Sequence, residues 1–351
     1  MPLSIILALV VCAMLRQVSA FTSIYVFGDG ISATTTAPSL PELHTNRYSN
    51  GRVWVEVLAQ RQGLTLASNN NVSFFGHFSS GLVTNVNNLT PPADVSSSLF
   101  VVWVNNADFV DIINYRHPNP FVPTNIVIWT SGISQALSNH LVAIQALHTK
   151  GVRTLVMPNG ADVAKVPSYQ FMSATNKAFV RQRIIEFNNG FTTMLQQARS
   201  SLSNLTIISP NFFALTDQII GSPASYGFTN STLSAVEELL DYSFTGPGTN
   251  FVFWDPYHPT AKVHEILADT AHQLISPTRI TSLAQVNGSN QLSVVNMPIG
   301  LSGFVEGTTN LVTWSAGQGF SSTNTTQTIT VPVNGPRWFY RLRFPFAWSW
   351  P

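Results

Sequence analysis

The feature that most constrains the fold is the alternation of short apolar runs with longer segments that have apolar residues at helical spacing. The runs are bounded by turn residues and predict buried strands at 23–27, 99–104, 153–157 and 205–208. Helical periodicity predicts helices over 52–62, 133–148, 173–202 and 260–275. Because strands that alternate with helices are joined by parallel crossovers, this order predicts an α/β fold, a three-layer α/β/α sandwich with a mostly parallel sheet.

The pattern changes after Pro277. From there on, short β-type runs are separated by Gly, Asn and Ser, at 292–295, 310–314, 328–333 and 338–344. We therefore expect two structural domains, an α/β domain over 21–278 and a small all-β module over 279–351.

The first twenty residues have the pattern of a signal peptide. An apolar run from Ile5 to Leu15 is followed by Val18-Ser19-Ala20, a small-residue ending that signal peptidases recognise. The run is shorter than the ~20 apolar residues that a membrane-spanning helix needs, and a buried N-terminal helix is the alternative. We expect a secreted chain, extracellular or periplasmic, that starts near Phe21 and has no transmembrane segment.

Composition excludes several classes of function. The 17 basic and 16 acidic residues nearly cancel, so charge alone would not recruit nucleic acid. The only cysteine, Cys12, falls in the predicted signal peptide, which leaves the mature chain without a thiolate or an internal disulfide. His44, His77 and His117 have no metal-ligand spacing. We expect these histidines on the surface or in loops, and we expect no metal and no cofactor.

Three short segments carry the residues suited to chemistry. They are Gly28-Asp29-Gly30 after the first predicted strand, 103–109 after the middle strand, and Asp255-Pro256-Tyr257-His258 before the last helix. In order and spacing these segments resemble the SGNH/GDSL family of ester hydrolases, and the stretch from Arg47 to Trp54 resembles the family's sequence between its first two blocks. The resemblance covers about 21–276 and implies a flavodoxin-like sheet.

The resemblance implies ester hydrolysis by a serine on the turn after the first strand. Asp255 and His258 fit the acid and the base of the triad, because one shared loop lets the carboxylate orient the imidazole. Taken without the other segments, the same two residues could also be turn and helix-capping residues.

At the family's nucleophile position this sequence has Gly30, which has no side chain to attack a carbonyl carbon. Ser32, or a residue among Thr34 to Thr36, is a candidate replacement, although we expect the displacement to turn the Ser32 hydroxyl away from His258. Their other role is to cap the segment that follows. In one serine protease, loss of the nucleophile costs roughly 10⁶ in kcat.

The oxyanion hole is also altered. The family pattern Gly-x-Asn-Asp aligns with Asn105-Asn106-Ala107-Asp108, so the expected asparagine is Ala107. Asn105 or Asn106 could substitute by a local shift. Loss of a single oxyanion donor costs about 10² to 10³ in kcat.

The remaining site residues are supporting ones. The family's second oxyanion residue is a glycine, and it is best matched by Gly76, with Gly81 as a weaker match. The resemblance also implies that Asp29 holds the turn before the nucleophile position through backbone hydrogen bonds, and Asp108 is a second supporting carboxylate.

The C-terminal segments at 305–314 and 339–343 resemble small β-sandwich modules of secreted bacterial proteins. Such a module could contact a cell surface or matrix. The last eight residues, 344–351, contain four aromatic side chains and fit either a docking or sorting tag or a final strand of the module.

Two functions remain open at this stage. The first is an ester hydrolase that acts on lipids, small esters or acylated glycans and whose catalysis is impaired by Gly30. The second is a non-enzymatic extracellular protein that binds such a ligand, or a glycan, on the same scaffold. A third interpretation, that Gly30 is a sequence error for serine, leaves Ala107 unexplained.

Overall fold

The computed structural model describes residues 21–116, 119–240, 242–335 and 338–345. The predicted signal peptide at 1–20 and most of the aromatic C-terminal segment, 346–351, lie outside the described residues, as does His117.

A five-stranded parallel sheet forms the centre of the molecule. Its strands are β1 (Ile24–Gly28), β2 (Asn71–Ser73), β3 (Leu99–Trp103), β4 (Thr154–Val156) and β5 (Thr206–Ile208). Their spatial order is β2-β1-β3-β4-β5, and every neighbouring pair is parallel. The prediction of a parallel, flavodoxin-like sheet is therefore confirmed.

Helices cover both faces of this sheet, which confirms the three-layer arrangement. They are α1 (Trp54–Arg61), α2 (Ser79–Asn88), α3 (Asn105–Arg116), α4 (Pro123–Thr149), α5 (Ala174–Ser201), α6 (Phe212–Gly221), α7 (Ala235–Leu239) and α8 (Ala261–Ile275). Helices α1 and α8 pack against each other, while α4 packs between α2 and α5. No helix among the described residues is long and apolar enough to cross a membrane.

The order of the strands places the chemistry at one edge of the sheet. In the sheet, β1 lies between β2 and β3. The connection from β1 leads to β2 on one side, and the next connection places β3 on the other side of β1, so the strand order reverses at β1. In such sheets ligands bind beyond the carboxyl ends of the strands at this switch point. The Asp29 N–H donates to the carbonyl of Trp103 at 3.1 Å, which joins the two strand ends.

Gly28 allows this close approach at the end of β1. A Cβ atom added to Gly28 would lie 2.5 Å from the Ser32 Cβ and 2.8 Å from the Ser73 Oγ. Any side chain at this position would force the turn after β1 away from β2, so only glycine fits the observed packing.

The C-terminal part contains two antiparallel three-stranded sheets. Its strands are β8 (Arg279–Val286), β9 (Ser289–Val295), β10 (Ser302–Thr308), β11 (Ser315–Ser321), β12 (Thr326–Pro332) and β13 (Phe339–Arg343), numbered after a separate parallel pair, β6 (Asn230–Ser234) and β7 (Phe251–Phe253). The sheet orders are β12-β9-β8 and β11-β10-β13. Their buried side chains, which include Leu292, Val305 and Leu342, form a core separate from that of the α/β part.

The predicted strand at 310–314 is wrong. The Asn310 side chain accepts hydrogen bonds from the backbone N–H groups of Val312 and Thr313, and Leu311 has a left-handed φ of 60°. This turn leaves the apolar side chains of Leu311 and Val312 exposed, and the strand begins only at Ser315. Phe344, at the start of the aromatic C-terminal segment, packs into the β core against Phe320.

A buried ion pair within the α/β part also contacts the β part through a hydrogen bond of its arginine. Arg61 Nε of α1 lies 2.6 Å from Asp269 Oδ1 of α8, and both side chains are at most 6% exposed. Arg61 also donates to the carbonyl of Ile299, at 3.0 Å, in the segment between β9 and β10. The guanidinium thus contacts two helices and the β part.

Buried histidines make stability depend on pH. His140 of α4 is fully buried against Phe187 and Phe191, and its Nδ1 lies 2.7 Å from the Ala136 carbonyl, while Nε2 has no partner. Burial lowers the pKa of His140 to about 4. The folded-state pKa is below the unfolded value of about 6.5, so the stability this residue contributes is complete above that value and is lost as the pH falls toward the folded pKa.

We expect His140→Leu to remove the part of the pH dependence of stability that comes from His140. Between the unfolded and folded pKa values, unfolding takes up one proton at His140, so stability falls by roughly 1.4 kcal/mol for each pH unit through this residue. Urea unfolding of both proteins at several pH values measures it: the variant should have the shallower slope on acidification. Equal slopes would contradict the assignment.

Candidate active site

The turn after β1 contains Gly30, where the resemblance predicts a nucleophile. Gly30–Ser32 form one 3₁₀ turn, and the Asp29 carboxylate caps it by accepting the Ile31 N–H at 3.1 Å. The backbone of Gly30 is not in the left-handed region, so a side chain is compatible with its φ. Ser32 is fully buried, and its Oγ accepts a hydrogen bond from Trp54 Nε1 at 2.9 Å.

The side-chain hydroxyls near Gly30 form hydrogen bonds outside the cavity. Neither Ser32 nor Thr34 nor Thr36 lines the cavity described below. Thr34 Oγ1 accepts a hydrogen bond from Asn71, and Thr36 Oγ1 donates to the Ser73 carbonyl. The geometry gives none of these hydroxyls access to His258.

Asp255 and His258 lie on the loop between β7 and α8. Asp255 Oδ1 accepts the N–H groups of Tyr257 at 2.8 Å and His258 at 2.7 Å, which fixes a tight turn. Asp255 Oδ2 lies 2.8 Å from His258 Nδ1, and the His258 carbonyl accepts the Trp254 N–H. The carboxylate therefore orients the imidazole so that Nε2 faces the turn after β1.

The imidazole of His258 occupies the space in which a nucleophilic side chain would begin. An ideal Cβ atom built on Gly30 would lie only 2.5 Å from His258 Nε2, too close for two unbonded atoms. The ring also stacks on Tyr48, with centroids 4.6 Å apart and planes inclined by 19°. The base thus lies closer to the turn than it could if serine were present.

The predicted oxyanion hole also lacks its side-chain hydrogen-bond donor. Ala107 lines the cavity but has no side-chain N–H. Asn106 lines the cavity too, yet its Oδ1 accepts the Ala161 N–H at 3.0 Å and its Nδ2 lies 3.4 Å from Asp29 Oδ2. Asn105 Nδ2 donates to the Pro158 carbonyl, and this residue does not line the cavity. The geometry gives no support to a local shift that would replace the missing donor.

Two buried carboxyls lie behind this position. Burial raises the pKa of Asp29 to about 6, against opposing hydrogen bonds and the nearby His258. Burial likewise raises the pKa of Asp108 to about 6, although its carboxylate accepts the Ser79 N–H and Oγ–H, both at 3.0 Å. Asp108 joins α3 to the start of α2, and Asp29 joins the β1 turn to Asn106.

A cavity of about 510 Å³ opens beside Gly30 and His258. This volume is within the range of small-molecule sites. Its lining is mainly apolar and includes Val110, Val163, Ile219, Ile220, Val252 and Leu267, with Asp111, Asp162 and Thr216 among the polar residues that also contribute. Gly76, with a left-handed φ of 73°, contributes to the rim. The site can therefore bury an apolar group next to the Asp255–His258 pair.

Sequence reasoning did not anticipate the aromatic residues around the imidazole. Phe75 and Tyr257 have ring centroids 6.0 and 6.4 Å from that of His258, respectively. Tyr48 lies within the Arg47–Trp54 stretch that resembles the family, and this resemblance was the one feature of the sequence that could have indicated its place near the site. These rings pack around the imidazole, and no spacing of residues along the sequence predicts such packing.

His77 lies in the loop between β2 and α2, in line with the expectation of a surface or loop residue, but it is not on the surface. It is fully buried, its Nδ1 lies 2.9 Å from the Gly28 carbonyl, and its Nε2 is 2.9 Å from Asn85 Nδ2. His77 thus stabilises the end of β1 through its contact with the Gly28 carbonyl. Among the described residues, no group of three or more histidine, cysteine or acidic side chains could hold a metal ion.

The parallel sheet, the Asp-x-x-His loop and the cavity at the β1–β3 switch point together define an SGNH-type α/β hydrolase scaffold. The chain belongs to the family of GDSL-like lipases and acylhydrolases, whose family model matches residues 24–271.

Two relatives illustrate the degree of similarity. A GDSL esterase/lipase of Arabidopsis thaliana is 25% identical over 55% of this chain and 53% of its own length. The thermolabile hemolysin of Vibrio parahaemolyticus is 20% identical over 72% of this chain and 63% of its own length. The chain therefore spans between half and two thirds of these relatives.

Among solved structures, a lipase from a goat rumen metagenome is 10% identical, with a TM-score of 0.42 over 71% of this chain and 94% of that chain. The acetylxylan esterase Axe2 of Geobacillus stearothermophilus is 13% identical, with a TM-score of 0.40 over 73% and 96%.

Proposed function

We propose that this chain is a degenerate GDSL-family ester hydrolase that binds the acyl part of an ester beside His258 and has lost the covalent serine route. The observation that carries the proposal is the 2.5 Å separation between His258 Nε2 and the Cβ position of Gly30. Gly30 has no side-chain atom that could be acylated, and the imidazole occupies the adjacent space, so no acyl-enzyme can form at this position.

The chemistry that remains is weak. Asp255 can still orient His258, but Ala107 supplies no donor to a tetrahedral oxyanion. Nucleophile and oxyanion donor are the two largest contributions in related chemistry, so hydrolysis by this chain is far slower than by an intact site.

The second candidate is a binding protein without catalysis, and the aliphatic cavity supports it equally well. That lining favours an acyl chain over a glycan as the buried part of the ligand, because sugar hydroxyls buried against Val110, Ile219 and Leu267 would lose hydrogen bonds to water. Both candidates share one binding mode and differ only in residual turnover.

Affinity for linear fatty acids tests the binding mode. Each added CH₂ should strengthen binding by about 0.8 kcal/mol, roughly fourfold, until the cavity is full. Calorimetric titration of acetate, butyrate, octanoate and decanoate with the purified protein measures this series. An affinity that does not depend on chain length would exclude the aliphatic cavity as the binding site.

A matched pair of variants locates the site. Ile220→Trp fills the cavity and should weaken decanoate binding at least about tenfold, whereas Ile280→Trp places the same group on β8, outside the cavity. Equal effects of the two variants would contradict the assignment.

Secretion and the role of the β part belong to the same proposal. The apolar pattern at 1–20 and the low charged fraction of 9% support export. The N-terminus of protein recovered outside the cell, expected at Phe21, checks it. We also propose that residues 279–351 form a separate module that could contact a cell surface or matrix.

A further inference from the structure

Exposed aromatic side chains surround the mouth of the cavity. Phe75, Phe78 and Tyr115 line the cavity and are also 52%, 38% and 74% exposed. Phe75 contacts Tyr257, with ring centroids 6.4 Å apart, and Tyr257 contacts Tyr169 at 5.9 Å. Aromatic side chains of the β2–α2 connection and of the end of α3 therefore line the cavity and are open to solvent.

Further exposed apolar side chains lie on the segments that follow Tyr115 and Tyr169 in the chain. Tyr169 donates its hydroxyl hydrogen to Asn114 Oδ1, which lies beside Tyr115 at the end of α3, and Phe171 follows Tyr169 with its side chain 99% exposed. Beyond Tyr115 the chain enters α4, where further apolar side chains are exposed. We call the set the apolar platform: Tyr115 (74% exposed), Phe121 (81%), Val122 (39%), Ile126 (42%), Val127 (66%) and Phe171 (99%).

Four of the six platform residues lie on a long segment without charge, and Tyr115 and Phe171 lie outside it. Residues 117–149 contain no lysine, arginine, aspartate or glutamate. This range includes all of α4, whose first turns expose Ile126 and Val127. A solvent-facing helix normally carries charged residues on its outer face. Their absence removes the desolvation cost that charges would impose on burial in an uncharged, apolar medium.

We propose that the apolar platform docks this protein onto a neutral lipid surface, so that the cavity mouth faces the lipid. This inference rests on the proposed function, in which the cavity takes up an acyl chain. Because such a chain is sparingly soluble, it would reach the cavity from a lipid phase. Tyr115 belongs to both the cavity wall and the platform and makes the path continuous.

The character of the platform defines the kind of surface. Aromatic and aliphatic side chains enter the boundary between headgroups and acyl chains, and anionic lipids add attraction only where basic residues are present. Because residues 117–149 provide no such charge, binding should be as strong to phosphatidylcholine as to mixtures with phosphatidylglycerol. It should also resist high salt, which weakens only charge-dependent attachment.

Co-sedimentation of the full chain with phosphatidylcholine vesicles, at low and high salt, tests the proposal. The double variant Phe121→Asp/Val127→Asp should reduce the partition coefficient roughly tenfold or more, because two exposed apolar groups are replaced by charges. The matched control is Leu311→Asp/Val312→Asp in the β10–β11 turn, where the side chains are 57% and 81% exposed. This control should bind vesicles like the unmodified protein.

Phe171→Ser is a second variant that leaves the fold intact, since the side chain contacts almost nothing, and it should also weaken binding. Failure to bind phosphatidylcholine vesicles, binding that the platform variants leave unchanged, or binding only to anionic vesicles at low salt would each overturn the proposal. So would a dimer in light scattering that the platform double variant dissociates, because a second copy would then cover the surface.

The fatty-acid titration separates this result from the proposed function, because it supplies monomeric fatty acids from solution, without vesicles. Chain-length-dependent binding without vesicle attachment removes only the docking surface. Vesicle attachment with no fatty-acid binding removes the proposed function and leaves the surface.

Discussion

Replacing Gly30 with serine is expected to raise the rate of p-nitrophenyl butyrate hydrolysis on the order of 10²-fold above that of the unmodified chain. The backbone accepts the side chain, but the new Cβ atom requires His258 Nε2 to withdraw from its 2.5 Å position. The imidazole is the end of a side chain held by Asp255 and by packing against aromatic rings, so a small shift of the ring can accommodate the new Cβ atom. The gain remains below the full effect of a nucleophile because Ala107 still offers no oxyanion donor.

Gly30→Ala is the matched control for this experiment. It introduces the same Cβ contact with His258 but no hydroxyl, and it should therefore gain nothing. Adding Ala107→Asn to Gly30→Ser should raise kcat by a further factor of about 10² to 10³. The triad requires the base, so Gly30→Ser/His258→Ala should lose the gain. Equal rates for the serine and alanine variants would show that the hydroxyl is not the nucleophile.

The second large effect concerns stability. Asp269→Ala is expected to lower the free energy of unfolding by about 3–5 kcal/mol, because it leaves the Arg61 guanidinium buried without its counter-ion. Desolvation already raises the pKa of Asp269, against the attraction of Arg61, which shows how far the pair is removed from water. The loss should also loosen the contact between Arg61 and the Ile299 carbonyl. Urea unfolding measures it.

Two controls separate the unpaired charge from simple loss of packing. Arg61→Met/Asp269→Leu removes both charges and should be much less destabilising than Asp269→Ala, since an apolar pair of similar volume is often neutral. Glu186→Ala removes one partner of the more exposed pair with Arg183 and should cost about 1 kcal/mol or less. An Asp269→Ala effect no larger than that of Glu186→Ala would contradict the role given to the buried pair.

The sequence predicted the parts of the fold that depend on local periodicity and turn chemistry. The predicted helix at 173–202 is observed as α5 (Ala174–Ser201), and the predicted strand at 99–104 is observed as β3 (Leu99–Trp103). Periodicity failed at 310–314, because Leu311 and Val312 look like strand residues while Asn310 bonds to the backbone and forms a turn. Strands β8 and β10 were missed: β8 is exposed along most of its length, and β10 contains glycines.

The site was predictable only as a set of positions. Spacing placed Asp255 and His258 on one loop and Gly30 on the turn after β1. It could not show that the imidazole enters the space left by the missing side chain, because that depends on distances between segments more than two hundred residues apart. Nor could it show that Trp54 engages the Ser32 hydroxyl or that His77 lies buried beneath Gly28. Such contacts are set by tertiary packing rather than by sequence pattern.

The most direct test of the disabled nucleophile position is p-nitrophenyl butyrate hydrolysis by the unmodified protein beside His258→Ala. If Gly30 removes the covalent route, the unmodified protein exceeds His258→Ala only by the slow hydrolysis that His258 can support by activating water, and it stays on the order of 10²-fold below Gly30→Ser. If the unmodified protein is as fast as Gly30→Ser and His258→Ala abolishes that rate, another nucleophile works with His258 and the site is not disabled.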